Sequence, residues 1–269
     1  MTEDVAGCPL CGGSATRFAD GAVLQRHAVE YLRCCACGTV FLPNPGWLEE
    51  AYGEAISALD VGLLERCLQL ANVTGAVIAA ERRAGGVFLD FAGGFGTLTR
   101  LMRDRGHDFR HHDPLCKNVF AGPFEGDVSG RYDLVTAFEV LEHLSDPVAA
   151  LGPVAATTDL LLITTQVLPE PAPLPGSWDY YAPETGQHIT FATVAGLRAL
   201  ATSFGMSLTT SGRLVHALHR RPLKAATRLV LKREWLAYGV GALAGERDRR
   251  RGLTVADSRA VLQSLRTSD

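Results

Sequence analysis

From Val87 onward the chain alternates short apolar runs with stretches in which apolar residues recur at helical spacing. Residues 87–91, 109–112, 133–137 and 160–165 read as strands, and residues 97–105 and 193–204 as helices. A further helix opens at Asp146-Pro147, a good N-cap followed by a residue whose fixed φ suits the first helical position. Two late strands, 206–210 and 214–219, close the pattern. Alternation of this kind predicts an α/β, Rossmann-like fold with a mostly parallel sheet covered on both faces. Upstream, Pro43 to Pro45 marks a linker, and residues 47–83 show helical spacing, with Leu63, Leu64, Cys67, Leu68 and Leu70 as an apolar stripe. Downstream, residues 222–269 are helical and charged. Their cluster Arg247, Arg249, Arg250 and Arg251 reads as a solvated helix face rather than a phosphate site.

Composition narrows the class. With 269 residues, 47% of them hydrophobic, there is material for one large α/β domain and a small appendage. A formal net charge of -3 weighs against a broad polyanion-binding surface, so small molecules are expected as partners rather than nucleic acid. No apolar run approaches the ~20 residues of a membrane span, and the start Met-Thr-Glu-Asp has neither the basic nor the apolar region of a signal peptide. A cytoplasmic protein without a membrane partner is expected.

Five of the seven cysteines lie in the first forty residues, as Cys8-Pro-Leu-Cys11-Gly and Cys34-Cys-Ala-Cys37-Gly. Two such knuckles separated by a hairpin-length stretch present four thiolates tetrahedrally, the arrangement that structural zinc takes. Cys8, Cys11, Cys34 and Cys37 are the expected ligands of a zinc ribbon over residues 1–45, with Cys35 pointing away. A redox dithiol is the competing reading. The ribbon is followed by a helical segment (46–86), the α/β domain (87–221) and a C-terminal helical extension (222–269).

The strand Val87-Phe-Leu-Asp-Phe runs into Ala92-Gly-Gly-Phe-Gly96 and then a helix. Gly94 and Gly96 form a GxG, but Thr99 stands where a dinucleotide fingerprint carries its last small residue. Such a turn lets backbone approach a ligand closely, and the helix N-terminus beyond it can meet a carboxylate. Asp113 ends the second strand, seventeen residues past Gly96, close to the spacing at which an acid grips a ribose diol. As a lone Asp before Pro it would be a turn former. The stretch from Asp113 to Phe120 leaves room for only a short helix before the next strand. A long loop, 169–189, carries Trp178, Tyr180, Tyr181 and Gln187-His188, an aromatic content suited to a wall over a pocket.

Asp90-Phe-Ala-Gly-Gly-Phe-Gly96 resembles the first motif of the class I S-adenosylmethionine (SAM) dependent methyltransferases, departing at Ala92, where the family usually has glycine. Glu139-Val-Leu-Glu-His143 resembles the signature of the ubiquinone O-methylating branch, and Tyr-Ala-Pro-Glu-Thr-Gly-Gln-His188 is similar to a segment of bacterial small-molecule methyltransferases that carry an N-terminal zinc ribbon. The resemblance implies a seven-stranded sheet ending in an antiparallel hairpin. It implies donor contacts at Asp90, Ala92, Gly94, Gly96 and Asp113, with Phe138 and Glu139 lining the pocket and His143 one helical turn beyond Glu139. Tyr52, Trp178, Tyr180 and Tyr181 become acceptor contacts, and His188 or His143 the base. The implied reaction moves the sulfonium methyl to oxygen, nitrogen or carbon of a small polar acceptor: a sugar, free or nucleotide-linked, or a natural-product intermediate. Two alternatives stand beside it. One is an RNA methyltransferase with a zinc recognition module, although the ribbon offers only Arg17, Arg26 and Arg33. The other is a catalytically silent SAM-binding protein.

Overall fold

A computed structural model describes residues 7–53, 60–233, 238–239, 241–242 and 252–267; the cluster Arg247, Arg249, Arg250 and Arg251 lies outside them. The chain forms two compact units, one built from residues 7–53, 138–156 and 162–220, the other from 60–137, 157–161 and the described residues beyond 220.

In the first unit β1 (Ala15–Val23) and β2 (His27–Cys34) form an antiparallel hairpin. β3 (Val40–Phe41) pairs with β2 on one side and with β8 (Thr190–Phe191) on the other, both antiparallel, so the sheet runs β1-β2-β3-β8. The fourth strand thus comes from the far end of the long loop. Tyr31, Val40, Leu42, Tyr181, Ile189 and Phe191 form its apolar core. Trp47, just before α1 (Leu48–Ala51), donates from Nε1 to the Gly186 carbonyl at 2.8 Å. α4 (Pro147–Ala156) opens where the sequence predicts, with Asp146 Oδ1 accepting from the Ala149 N–H at 2.9 Å. α5 (Val194–Ser203) is capped by Thr193, whose Oγ1 accepts from the Gly196 N–H at 3.0 Å.

In the second unit β4 (Val87–Phe91) lies between β5 (Asp108–His112) and β6 (Leu134–Phe138), parallel to both. Phe88, Leu89, Phe109, Leu134 and Val135 are fully buried, as expected of strands covered on two faces. α2 (Leu63–Glu81) packs against α3 (Thr97–Asp104) and α6 (Ala225–Lys232). By length and composition α2 could cross a membrane, yet Leu70, Val73, Val77 and Ile78 are buried, which is the pattern of a core helix. α7 (Thr254–Thr267) is tied to α3 by the Arg103–Asp257 ion pair at 2.7 Å, both side chains largely buried.

With β7 (Leu160–Thr164), β9 (Ser207–Thr210) and β10 (Val215–His219), the larger sheet runs β5-β4-β6-β7-β10-β9, the last two antiparallel. This is the Rossmann-like order the sequence implies, with one correction: among the described residues it has six strands, not seven. An isolated parallel bridge between His111 and Glu125, on the free edge of β5, stands where a further strand would be. The segment between β5 and β6 is too short to hold a crossover helix and another strand.

Candidate functional site

The two cysteine knuckles meet. Sγ of Cys8 and Cys37 are 3.6 Å apart, Cys11 and Cys34 3.4 Å, Cys11 and Cys37 3.5 Å, and all four sulfurs lie within 4.8 Å of one another. A tetrahedral zinc with Zn–S of about 2.3 Å asks for sulfurs roughly 3.8 Å apart. The donor set therefore fits the ion, and none of the four is in a disulfide. Cys35 is exposed and is not part of this cluster. The shared Cys8–Cys37 hydrogen bond, aided by Thr39, holds the Cys37 thiol below its usual range while raising that of Cys8.

The glycine turn is braced from behind and from both sides. Asp90, 2% exposed, accepts from the hydroxyls of Thr136 (2.9 Å) and Thr99 (3.0 Å), linking β4 to β6 and α3. Burial pushes its carboxyl up to about 6 against those hydrogen bonds. Ala92, Gly94 and Gly96 all have positive φ, 53°, 58° and 80°. Ala92 thus holds the left-handed conformation in which a side chain is strained, a physical reason for glycine there in the resembling motif. The Gly94 N–H donates to Asp113 Oδ2 at 2.8 Å, and Asp113 Oδ1 accepts from the N–H groups of Leu115 and Cys116, both at 2.8 Å.

A second polar cluster lies in the first unit. His143 sits in a short 3-10 turn, Leu141–His143, and its ring meets that of His188 edge-on at 4.8 Å between centroids. His143 Nδ1 lies 3.2 Å from the Gln187 carbonyl and His188 Nδ1 2.7 Å from the Tyr180 carbonyl. A carbonyl only accepts, so each Nδ1 carries a proton; His143, held neutral by burial, keeps a lone pair on Nε2. Tyr52 lies edge-on to His143 at 6.2 Å. The Tyr180 hydroxyl donates to Glu142 Oε1 and lies 3.1 Å from Thr165 Oγ1. Glu139, at φ 54°, exchanges hydrogen bonds with Thr164: its N–H donates to Oγ1 at 2.8 Å and its Oε1 accepts from that hydroxyl at 2.7 Å. Ligand atoms of Glu142, His143 and His188 lie within 4.8 Å of one another, so the three could also hold one cation.

Burial, reinforced by Glu139, pushes the Glu142 carboxyl up to about 8; burial, reinforced by His188, pushes His143 down to about 3. A raised carboxyl means the folded state holds a proton that the unfolded chain has released. Stability is then lost as pH climbs from about 4.5 towards 8, at up to about 1.4 kcal/mol per pH unit for one proton. His143 works at the other end, its contribution lost as pH falls from 6.5 towards 3. Urea denaturation of Glu142→Gln between pH 5 and 8 should lack the alkaline decline; an unchanged slope would place the proton elsewhere.

The structure revises several expectations. Asp90 accepts from two threonine hydroxyls and so braces the turn from within the protein. Glu139 precedes the 3-10 turn that holds His143, so the two do not share a helix face. Tyr181, 1% exposed, and Trp178 pack with Phe191 in the apolar core, so of the loop aromatics only Tyr180 joins the polar cluster. Sequence reasoning passed over Gly93, His111, Thr136, Glu142, Thr164 and Thr165. The Thr pair closing the otherwise apolar run Leu160 to Ile163 was the legible signal among them.

A family model described as a methyltransferase domain matches residues 66–211. No curated protein matches the chain. Among solved structures it is similar to CalO1, a methyltransferase in calicheamicin biosynthesis in its SAH-bound form, at 17% identity and TM-score 0.38, over 56% of this chain and 54% of that one. The chain thus spans about half the length of that structure. It is similar to the mitomycin 7-O-methyltransferase MmcR at 16% identity and TM-score 0.48, covering 65% and 60%. It is also similar to 1,6-didemethyltoxoflavin-N1-methyltransferase of Burkholderia thailandensis at 17% and 0.48, covering 68% and 96%.

Proposed function

Because the chain belongs to the methyltransferase-domain family, we propose that it moves the sulfonium methyl of SAM to a small polar acceptor, a sugar or natural-product intermediate. The bond between methyl carbon and acceptor atom forms as the carbon–sulfur bond breaks, S-adenosylhomocysteine leaves, and the acceptor's proton passes to a histidine. The donor is assigned to the turn from Ala92 to Gly96, whose left-handed residues lead into the N-terminus of α3, and to Asp113 for its ribose. The sulfonium brings its own activation, so alignment and deprotonation remain for the protein. The observation that carries this reading is the His143–His188 pair, whose rings meet edge-on at 4.8 Å with both Nδ1 atoms engaged by carbonyls. His188 is assigned as the base, with His143 beside it. Tyr52 and Tyr180 are assigned to acceptor contact.

The cysteine centre is proposed as structural zinc. All four coordination positions are filled by protein, so the ion stabilises the fold and activates no water.

Calorimetry with S-adenosylhomocysteine tests the donor half. Asp113→Ala removes a charged hydrogen-bond partner worth about 1.5–3 kcal/mol, so affinity should fall roughly ten- to a hundredfold. Equal affinity removes Asp113 from the site. On the acceptor side, His188→Ala should abolish transfer from radiolabelled SAM to the true acceptor. Full turnover in both His188→Ala and His143→Ala would exclude a histidine base.

A further inference from the structure

We propose that His111 is a positioning residue for the donor-binding turn and makes donor affinity fall as pH rises; the proposal rests on the donor reading above. His111 lies on β5, its side chain 1% exposed, and its Nε2 is 2.9 Å from the Gly94 carbonyl oxygen. The N–H of Gly94 is held by Asp113 Oδ2 at 2.8 Å. The peptide units flanking Gly94 are therefore pinned at both ends, one by a carboxylate and one by an imidazole, while Gly94 itself holds φ 58°. Rotation here would re-aim the N–H groups that follow it, so whatever fixes Gly94 fixes the ligand-facing side of the turn.

The other ring nitrogen explains the pH dependence. His111 Nδ1 faces Glu125 Oε2 at 3.5 Å, and Glu125 is itself oriented by Asn118 Nδ2, which donates to Oε1 at 2.7 Å. A carbonyl and a carboxylate both only accept, so satisfying both contacts requires both ring nitrogens to carry protons. The charged groups facing this ring are Asp90, its register partner on β4, Glu125 from the segment after β5, and Asp113 across Gly94. Attraction by His111 is in turn among the influences that pull the buried Asp90 carboxyl down.

When the ring loses one proton, a lone pair must face either the Glu125 carboxylate or the Gly94 carbonyl. The first costs the His111–Glu125 attraction; the second repels the turn itself. Either way the turn is held less firmly and its ordering must be supplied by the ligand, which weakens binding. Crowding leaves little alternative packing, since a Cβ built on Gly93 would lie 3.0 Å from His111 Cδ2 and one on Gly96 would lie 2.3 Å from Asn118 Oδ1.

The test is calorimetry of S-adenosylhomocysteine with the full chain from pH 5.5 to 8.5. Wild type should lose about tenfold in affinity across this range, the equivalent of one lost hydrogen bond. His111→Gln keeps an N–H for Gly94 but has no proton to lose, so its affinity should be flat with pH and close to wild type at neutral pH. Glu125→Gln gives Nδ1 an amide that can either accept or donate, so its decline should be smaller than that of wild type. His111→Ala should bind weakly throughout, with a circular dichroism spectrum like that of wild type. If His111→Gln retains the wild-type decline, or His111→Ala binds as tightly as wild type, the proposal is overturned while the donor reading stands. If wild type binds no S-adenosylhomocysteine at any pH, both fall.

Discussion

Replacing Cys34 with serine should strip the first unit of its metal and lower the melting temperature by roughly 10 °C, the effect of about 3 kcal/mol in a protein of this size. Cys34 ends β2, and its backbone organises the second knuckle: its N–H donates to the Thr39 carbonyl at 2.9 Å and its carbonyl accepts from Gly38 at 3.0 Å. Its sulfur accepts from the Cys37 N–H at 3.4 Å and lies 3.4 Å from Cys11. Oxygen in its place is a poorer ligand for zinc and shorter in reach, and the remaining three thiolates would repel one another without the ion. Elemental analysis should return about one zinc per chain in the wild type and well below that in Cys34→Ser. A wild-type protein that is metal-free and melts at the same temperature as the variant would remove zinc from the account.

The second large effect is expected at Gly93. A Cβ built there would lie 2.5 Å from Asp90 Oδ2 and 2.8 Å from its Cγ, distances that real side chains do not tolerate. Asp90 cannot swing aside, because it is buried and bonded to Thr99 and Thr136 on two different elements. Gly93→Ala should therefore cost about 2–3 kcal/mol by overpacking and by loosening those hydrogen bonds. It should also reduce affinity for S-adenosylhomocysteine by more than tenfold, since the brace behind the turn is what fixes its shape. Ala92→Gly is the contrasting substitution. It relieves a left-handed alanine at φ 53°, and should leave stability within about 1 kcal/mol of wild type. Denaturant titration of both variants separates the two cases; equal stability of Gly93→Ala and wild type would mean that Asp90 is not a rigid brace.

These contrasts show what could be read from the chain. Apolar periodicity located the parallel strands, because a strand buried on both faces leaves an uninterrupted apolar run such as Leu160 to Ile163. CxxC spacing located the four-cysteine cluster because both halves of it are local in sequence. Glycines with positive φ announced the turn. What stayed hidden depends on contacts between distant segments. Nothing near Thr136 says that its hydroxyl meets Asp90, forty-six residues away, and nothing near Tyr180 says that it meets Glu142, thirty-eight away. The loop aromatics misled because an aromatic run suits a pocket wall and a core equally well. Tyr31, on a strand with a mixed pattern, turned out to be the partner that draws Tyr181 inward, their rings edge-on at 5.3 Å.

The pairing of β3 with β8 has a mechanical consequence. Val40 sits opposite Phe191 and Phe41 opposite Thr190, while the Thr193 hydroxyl donates to the carbonyl of the ligand residue Cys37 at 2.5 Å. His188 stands only two residues before β8. A peg driven into the cysteine knuckles therefore tethers the loop end on which the imidazole hangs. The ring signals of His188 in an NMR spectrum should broaden when a chelator withdraws the ion, making this histidine a reporter of metal loss.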